Sequence, residues 1–102
     1  MPAYAVRTPQ TVKSDIGRFA IVEGRIAQVE RHDGRIFLDF NADSRRGFTA
    51  TIASEDAKPF RDMDPSLEEL AGRRVRLRGV VEDYNGRPEI ALSNPAQIEL
   101  LQ

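Results

Sequence analysis

Two short segments place an arginine directly after a tight-turn dipeptide, a pattern suited to holding phosphate. The segments are RHDGR at residues 31–35 and DYNGRPEI at residues 83–90. Asp-Gly and Asn-Gly between alternating apolar and polar residues predict two-residue β-hairpin turns. Arginine presents a planar fork of donors that matches phosphate oxygens. Arg35 and Arg87 are therefore the first candidate ligands for a nucleic-acid backbone, with ordinary exposed strand arginines as the alternative.

Aromatic side chains lie close to both predicted turns. Phe37 and Tyr84 are candidate stacking platforms, because a base stacked on an aromatic ring contributes about 1–3 kcal/mol in proteins that bind single strands. The alternative is that Phe37 packs at the end of the fold and Tyr84 braces its turn. Phe40, Phe48 and Phe60 are in phase with the predicted core and are interpreted as packing residues.

A further set of arginines alternates along one predicted strand, RRVRLRGVVEDY, at residues 73–84. Arg74, Arg76 and Arg78 share one face because side chains alternate along a strand. Their spacing of about 7 Å per alternate residue is comparable to that of phosphates on an extended strand. With Arg25 they are candidate electrostatic support for nucleic acid. A solvated face that protects the strand from edge pairing is the favoured alternative for this triplet.

The composition describes one globular domain that is not strongly basic. The chain has 102 residues, 40% hydrophobic and 30% charged, with a net charge of −1. A dedicated nucleic-acid binder usually has a clearly basic domain, so the charge argues against strong binding. Residues 73–87 nevertheless hold five basic and two acidic groups. Thirteen of the 15 basic residues are arginine, which a GC-rich genome would also explain.

The residue types leave little room for catalysis or for a cofactor. The chain has no cysteine, which excludes disulfides and zinc–thiolate sites. The sole histidine, His32, is interpreted as an exposed side chain, and no ligands are grouped around it for a metal. Asp39, Asp43, Arg45 and Arg46 supply the residue types of a nuclease, but their local pattern matches no catalytic motif. We therefore expect neither an enzyme nor a cofactor.

The elements that would position these residues are predicted from periodicity. Residues 19–31 predict a bent, bulged first strand because the apolar phase slips beside Gly24. Residues 35–40 and 48–53 alternate with a period of two and predict the second and third strands. A short helix is predicted near Pro65 to Ala71, before strands at residues 73–84 and 87–93.

This order predicts an all-β fold, a five-stranded Greek-key OB-fold barrel with a short helix between strands three and four. An SH3-like barrel or another small β-barrel is the alternative. Residues 1–17 lack the pattern and are interpreted as an N-terminal arm or partly ordered leader, which leaves residues 18–102 as the domain. No signal peptide or membrane span is evident, so a cytoplasmic location is predicted. A longer precursor with an export signal would instead place the protein in the periplasm or outside the cell.

Several segments resemble the nucleic-acid-binding OB-fold domains of bacteria, over about residues 18–101. They are VEGRI, GRIFLDF, GFTATI, LAGRRVRLRGVVEDYNGRPEI and NPAQIELL. The likeness is to small OB modules found alone or attached to thermonuclease-like and sugar-non-specific nucleases. It implies that single-stranded or structured nucleic acid binds the face of strands two and three, between the loops at residues 31–35 and 84–87. Phe37, Asp39 and the side of Thr49 and Thr51 would form that face, and the Asp39 carboxylate would repel phosphate.

The predicted function is a non-catalytic OB-fold module that binds single-stranded DNA or RNA weakly and with little sequence preference. The predicted binding residues are Arg25, Arg35, Phe37, Arg74, Arg76, Arg78, Tyr84 and Arg87. One alternative, favoured by the net charge, is a protein-interaction or envelope-associated OB module without a nucleic-acid role. Another is an accessory domain of a larger nuclease.

Overall fold

The computed structural model describes residues 5–41 and 47–102, where eight β-strands form the framework. The strands are β1 (Val6–Arg7), β2 (Phe19–Arg25), β3 (Gln28–His32), β4 (Arg35–Asp39), β5 (Thr49–Ile52), β6 (Arg74–Tyr84), β7 (Arg87–Ala91) and β8 (Ile98–Leu100). They form one mixed sheet in the order β1-β2-β6-β7-β5-β4-β3, with β8 paired to β6. The predicted all-β class is confirmed.

The predicted bent first strand is two strands, β2 and β3, separated at Ile26 and Ala27. The amide of Ile26 donates to the carbonyl of Arg73 at 2.9 Å, whereas the amide of Ala27 donates to the carbonyl of Asp39 at 2.8 Å. The chain thus leaves its ladder with β6 and enters a ladder with β4 within two residues. The strand order runs from β1 to β3 without closing, so the closed barrel that was predicted is not shown. This connection links the ladder of β2 and β6 to the ladder of β3 and β4. The division, together with β1 and β8, explains why more than the five predicted strands are present.

Both predicted hairpins form, and their turns are of the predicted kind. Asp33 and Gly34 have φ angles of 52° and 79°, and Asn85 and Gly86 have φ angles of 51° and 85°. Two successive positive φ angles define the type I′ turn, whose twist matches that of the flanking strands. The amide of Gly86 also donates to the Asp83 carboxylate at 2.7 Å, which stabilises the second turn.

The predicted helix between strands three and four is wrong in type. Within the described residues this region holds only single 3₁₀ turns, at Ser54–Asp56, Lys58–Phe60 and Glu68–Leu70. Pro59 and Pro65 each remove a backbone donor, and Gly72 ends the segment with a φ of 83°. The available stretch is therefore too short for an α-helix. Leu67 and Leu70, the apolar residues of the predicted helix, are nevertheless buried.

Strand β7 unites the two hairpins on one surface. It runs antiparallel to β6, where Tyr84 opposes Arg87. It also runs parallel to β5, where Thr49 opposes Glu89. Because β5 is itself paired with β4, the tip of the second hairpin lies on the same face as residues of the first.

A single apolar core lies beneath this face. Its members come from most strands and from the 3₁₀ turns. The largest fully buried side chains are Phe48, Phe60, Ile26, Ile36, Leu38, Ile52, Leu70, Leu77, Ile90, Leu92, Val12 and Val22. Phe40 packs against this core with its ring centroid 5.1 Å from that of Phe48. The three phenylalanines predicted to pack therefore do so.

The segment before β2 is attached to the sheet over residues 5–17. Strand β1 pairs in parallel with β2, and Val12 is fully buried in the core. Arg7 Nε donates to Asp15 Oδ2 at 2.6 Å, which ties both ends of the segment together. A domain boundary between residues 17 and 18 stays a prediction, although Val12 contributes to the same core as β2. None of the helical turns in the described part of the chain is long and apolar enough to span a membrane.

Candidate functional site

A cavity of about 290 Å³ lies on the outer face of the sheet, between the two hairpins. Four of the predicted binding residues line it, namely Arg35, Phe37, Tyr84 and Arg87. Among the described residues, the lining is Glu30, His32, Arg35, Phe37, Asp39, Gly47, Thr49, Tyr84, Arg87, Pro88 and Glu89. The structure therefore brings the arginines that follow both turns to one site, although they are distant in sequence.

Each of these two arginines lies over an aromatic ring of its own hairpin. The Arg35 guanidinium carbon is 5.6 Å from the centroid of the Phe37 ring. The Arg87 guanidinium carbon is 5.4 Å from the centroid of the Tyr84 ring. Such contacts are attractive because the face of an aromatic ring carries negative charge. The site consequently has two matched pairs of a cation and an aromatic ring.

A row of polar residues crosses the face from strand to strand. The register pairs Gln28 with Asp39, Asp39 with Thr49, Thr49 with Glu89 and Glu89 with Glu82. Gln28 Nε2 donates to Asp39 Oδ2 at 3.1 Å, and Thr49 Oγ1 donates to Asp39 Oδ1 at 3.2 Å. Its central members Asp39, Thr49 and Glu89 line the cavity beside the arginine–aromatic pairs and form its polar floor.

Asp39 is buried in this floor, with only 2% of the residue exposed. Burial raises the pKa of its carboxyl above the usual range, and the hydrogen bonds from Gln28 and Thr49 offset part of that rise. The sequence predicted that Asp39 lies on the outer face of strands two and three, and Asp39 lines the cavity on that face. Its neutral neighbours stabilise the carboxylate less than a cation in direct contact would.

Glu89 is the second perturbed carboxyl, with 15% of its side chain exposed. Burial raises the pKa of Glu89, while Arg35 lowers it in part. Thr51 Oγ1 donates to Glu89 Oε1 at 3.5 Å, and Arg35 Nη2 lies 3.8 Å from the same oxygen. Both contacts are long for hydrogen bonds. Glu89 is thus a largely buried carboxylate with weak partners among the described residues.

His32 and Glu30 close the opposite side of the cavity on β3. His32 Nε2 lies 3.4 Å from Glu30 Oε2, and the His32 ring meets the Phe37 ring edge-on at 5.9 Å between centroids. Glu30 is the register partner of Phe37. His32 is exposed, as the sequence indicated, but it lies against the site rather than free in solvent.

The other predicted binding residues lie elsewhere. Arg25 Nη1 donates to the carbonyl of Gly72 at 2.6 Å. The strand arginines share one face as predicted, but each of them is hydrogen-bonded to an acidic side chain. Arg74 and Arg76 donate to Glu23 at 2.6 and 2.8 Å, and Arg78 donates to Glu99 at 3.1 Å. The hydrogen bonds from Arg76 and Arg74 hold the pKa of Glu23 below its usual range.

No cluster for a metal was found in the described ranges, where three or more His, Cys, Asp or Glu side chains would have to converge. Asp43, Arg45 and Arg46, which supplied nuclease residue types in the sequence, fall outside those ranges. The cavity combines aromatic faces, guanidinium groups and buried acceptors, which are groups typical of ligand pockets.

Sequence reasoning missed Glu89, Glu30 and Pro88 as part of the site. Glu89 directly precedes the inward-facing Ile90, and successive side chains of a strand point to opposite faces, so the outward direction of Glu89 was predictable. Its position opposite Thr49 depends on the parallel pairing of β5 with β7, which no local pattern indicates. Glu30 fell near the phase slip of the first strand, where the face of each residue was ambiguous.

No protein-family model matches the chain, and no curated protein matches it in sequence. Solved structures do resemble it in shape. A chain of the S. pombe Stn1-Ten1 complex superposes with a TM-score of 0.60 at 17% identity, over 82% of this chain and 58% of that chain. Asparaginyl-tRNA synthetase from Pyrococcus horikoshii gives a TM-score of 0.60 at 21% identity, over 93% of this chain and 22% of that chain. OBody AM3L15, solved bound to hen egg-white lysozyme, superposes with a TM-score of 0.65 at 14% identity, over 99% of this chain and 96% of that chain.

These likenesses are too distant in sequence to show more than the fold. The similar structures are OB-fold proteins, and the strand order described above is consistent with that fold. The chain spans little more than half of the Stn1-Ten1 chain and about a fifth of the synthetase chain, at 58% and 22%. The OBody chain is matched over nearly its whole length.

Proposed function

We propose that this chain is a non-catalytic OB-fold module that binds single-stranded nucleic acid weakly and with low overall sequence specificity. The observation that carries the proposal is the shared cavity of Arg35, Phe37, Tyr84 and Arg87, which joins two guanidinium groups and two aromatic rings. Single-strand binders combine these same groups, with cations on the backbone and rings under the bases. The fold adds support, since a tRNA synthetase shares it.

Binding would exchange the existing arginine–ring contacts for contacts with the ligand. An exposed cation–π contact contributes about 0.5–1 kcal/mol, whereas a stacked base contributes about 1–3 kcal/mol. Replacing a cation–π contact by a stacked base is therefore favourable. The half-exposed Tyr84 ring, at 51% exposed, is the more accessible platform.

The charge of the site explains why the binding would be weak. Glu30, Asp39 and Glu89 line one cavity with Arg35 and Arg87, so acidic groups outnumber guanidinium groups among the described lining residues when all are ionised. Two phosphate contacts predict a logarithmic salt slope of only about −1.4, because each phosphate contact on a single strand contributes about −0.7. We do not expect tight binding of single-stranded nucleic acid at high salt.

The test is a fluorescence anisotropy titration of short labelled DNA and RNA single strands at low salt. The parent protein is compared with Arg87→Ala and with Arg18→Ala, an exposed arginine outside the cavity. We expect binding that weakens with salt and that Arg87→Ala reduces more than Arg18→Ala does. Absence of any anisotropy change at the highest soluble protein concentration would reject the proposal.

A protein-binding role is the second candidate, and a separate surface favours it. Val6, Phe19 and Val80 are 48%, 41% and 52% exposed, and Phe19 opposes Val80 on adjacent strands. Exposed apolar side chains in a contiguous group often mark protein interfaces. The OBody structures, solved bound to lysozyme, are proteins of similar fold in complex with another protein. Pull-down with Phe19→Ser against parent protein separates this role from the cavity.

A further inference from the structure

The carboxylates of the cavity are unexplained by phosphate binding, because they oppose it. Glu89 lies beside Arg35 on the side of the cavity formed by β7, and Glu30 opposes Phe37 on β3. Thr51, the other register partner of Phe37, donates to Glu89. The register thus places Glu30 beside Phe37 on β3, and on β5 it places Thr51, which contacts Glu89. Both carboxylates line the same cavity as the Phe37 ring.

We infer that the cavity prefers guanine at one nucleotide position, with the Glu89 carboxylate accepting hydrogen bonds from the edge of the base. The inference rests on the proposed nucleic-acid function and adds a preferred base to it. A carboxylate is an acceptor only, with two oxygens that can receive two parallel donors. The preferred base must therefore offer donors along one edge.

Guanine is the base that meets this requirement. Its N1–H and N2 amino group lie side by side in the base plane, so both can donate to one carboxylate. The amino groups of adenine and cytosine each have a ring nitrogen acceptor beside them on the same edge, which repels a carboxylate. The N3–H of thymine or uracil lies between two carbonyl oxygens, with the same consequence. Bases in single strands expose these edges for direct recognition.

Glu89 is better suited to this role than the neighbouring Asp39. Both oxygens of Asp39 already accept hydrogen bonds, from Gln28 and from Thr49, within 3.2 Å. The contacts of Glu89 with Thr51 and Arg35 are longer, at 3.5 and 3.8 Å. A largely buried acceptor with weak partners gains most from new donors, because its desolvation is not yet compensated.

The size and the charge of the cavity also fit a nucleotide. Its volume of about 290 Å³ lies near the lower end of ligand pockets, which span about 300–1,000 Å³, so one base is a suitable occupant. A basic peptide would also offer donors to Glu89, but it would leave Arg35 and Arg87 without an anionic partner. A guanine nucleotide can interact with both kinds of charge, because its base can donate to the carboxylate and its phosphates can accept hydrogen bonds from the arginines.

The experiment compares short oligothymidylates that differ only at one central base. The probes carry thymine, guanine or hypoxanthine there, the last being guanine without its N2 amino group. We expect guanine to bind about tenfold more tightly than thymine, the discrimination that one bidentate contact gives. Hypoxanthine is expected to lose most of that gain, since it can donate only through N1–H.

Glu89→Gln tests the assigned residue, with Glu99→Gln as the matched control outside the cavity. We expect Glu89→Gln to lose the guanine preference, while Glu99→Gln keeps it. Equal binding of all three probes would overturn the inference and leave the proposed function in place. A guanine preference that survives in Glu89→Gln would overturn the assignment to Glu89. Binding of no oligonucleotide would reject the proposed function itself, as would binding of an arginine-rich peptide instead.

Discussion

The Arg35 guanidinium lies 3.8 Å from the Glu89 carboxylate, so a candidate phosphate ligand is held beside a group that repels phosphate. The two partners differ in their surroundings, because 49% of the Arg35 side chain but only 15% of the Glu89 side chain is exposed. Arg35 is free to turn toward a phosphate, because its side chain is half exposed and its contact with Glu89 is longer than a hydrogen bond. Glu89 then needs a donor from the ligand.

The affinity for oligothymidylate is expected to rise as the pH is lowered from about 7 through the raised pKa values of Asp39 and Glu89. Protonation of these carboxyls removes negative charge from the cavity and leaves the arginines to attract phosphate. Thymine-only probes avoid protonation of the bases themselves. Anisotropy titrations across this range measure the effect, and Glu89→Gln is expected to reduce it. An affinity that does not change with pH would contradict the expectation.

The stability of the fold is expected to respond to Glu89→Gln with a definite sign. The pKa of Glu89 is higher in the folded chain than its unfolded value of 4.5, so the folded state binds more protons between those two values. Its contribution to stability is complete below pH 4.5 and is lost as pH rises through the folded pKa. Glu89→Gln should therefore raise the free energy of unfolding at neutral pH, with the gain disappearing in acid.

Urea unfolding of both proteins at several pH values gives this difference directly. The comparison is made between variant and parent because Glu23 and Glu68 act in the opposite direction. Their pKa values are lowered by bonded arginines, so their stabilisation is lost as pH falls through the folded values. Glu55→Gln, at an exposed position, is the control. A Glu89→Gln gain that persists in acid would exclude titration as its cause.

Arg87→Ala is expected to weaken binding of every single-stranded sequence by a similar factor. The logarithmic salt slope should become shallower by about 0.7, the contribution of one phosphate on a single strand. The salt series is repeated with Arg78→Ala, whose guanidinium already donates to Glu99 outside the cavity. Equal losses in the two variants would mean that general charge, rather than the cavity, governs binding.

Tyr84→Ala is expected to reduce affinity by about 1–3 kcal/mol if the ring stacks one base. Tyr84→Phe keeps the ring and should retain most of the binding. Because Tyr84 is 51% exposed, we expect the unfolding free energy of either variant to stay within about 0.5 kcal/mol of the parent. Calorimetric titration alongside thermal unfolding separates the two quantities. Parent-like affinity in Tyr84→Ala would assign the ring to bracing of its turn.

Val12→Ala is expected to destabilise the fold by about 2 kcal/mol, from the lost burial of two methyl groups plus the cavity left behind. Val12 is fully buried, whereas the neighbouring Lys13 is exposed and Lys13→Ala serves as the control. Chemical denaturation measures both. A loss in Val12→Ala alone would make residues 5–17 an integral part of the domain, and no loss in either would support a separate N-terminal arm.

The hairpins and the direction of their side chains were predictable because both depend on local rules. Asn85 and Gly86 require positive φ angles that few other residues tolerate, and strand alternation places Phe37 outward. The helix was overpredicted because Leu67 and Leu70 are three residues apart, a spacing that a 3₁₀ turn satisfies as well as an α-helix does. Burial of those two side chains was correct even though the type of turn was not.

The acidic half of the site was not predictable from local pattern. Asp39 was recognised as unfavourable for phosphate, but its hydrogen bonds with Gln28 and Thr49 depend on the registers of two ladders. Glu89 reaches the same floor only through the parallel ladder between β5 and β7. Pairing between strands of distant sequence is not encoded in either strand alone. The positive groups were visible in the turns, whereas the acceptors required the assembled sheet.

The parallel ladder also determines when the site exists during folding. Thr49 and Glu89 come from the middle and the end of the chain, so their pairing requires closure of a long loop. The first hairpin can form early, yet it carries Arg35 and Phe37 without the opposing wall. A chain that stops at the turn of Asn85 and Gly86 lacks β7 altogether. We expect such a fragment to bind no oligonucleotide, since it lacks both Arg87 and Glu89.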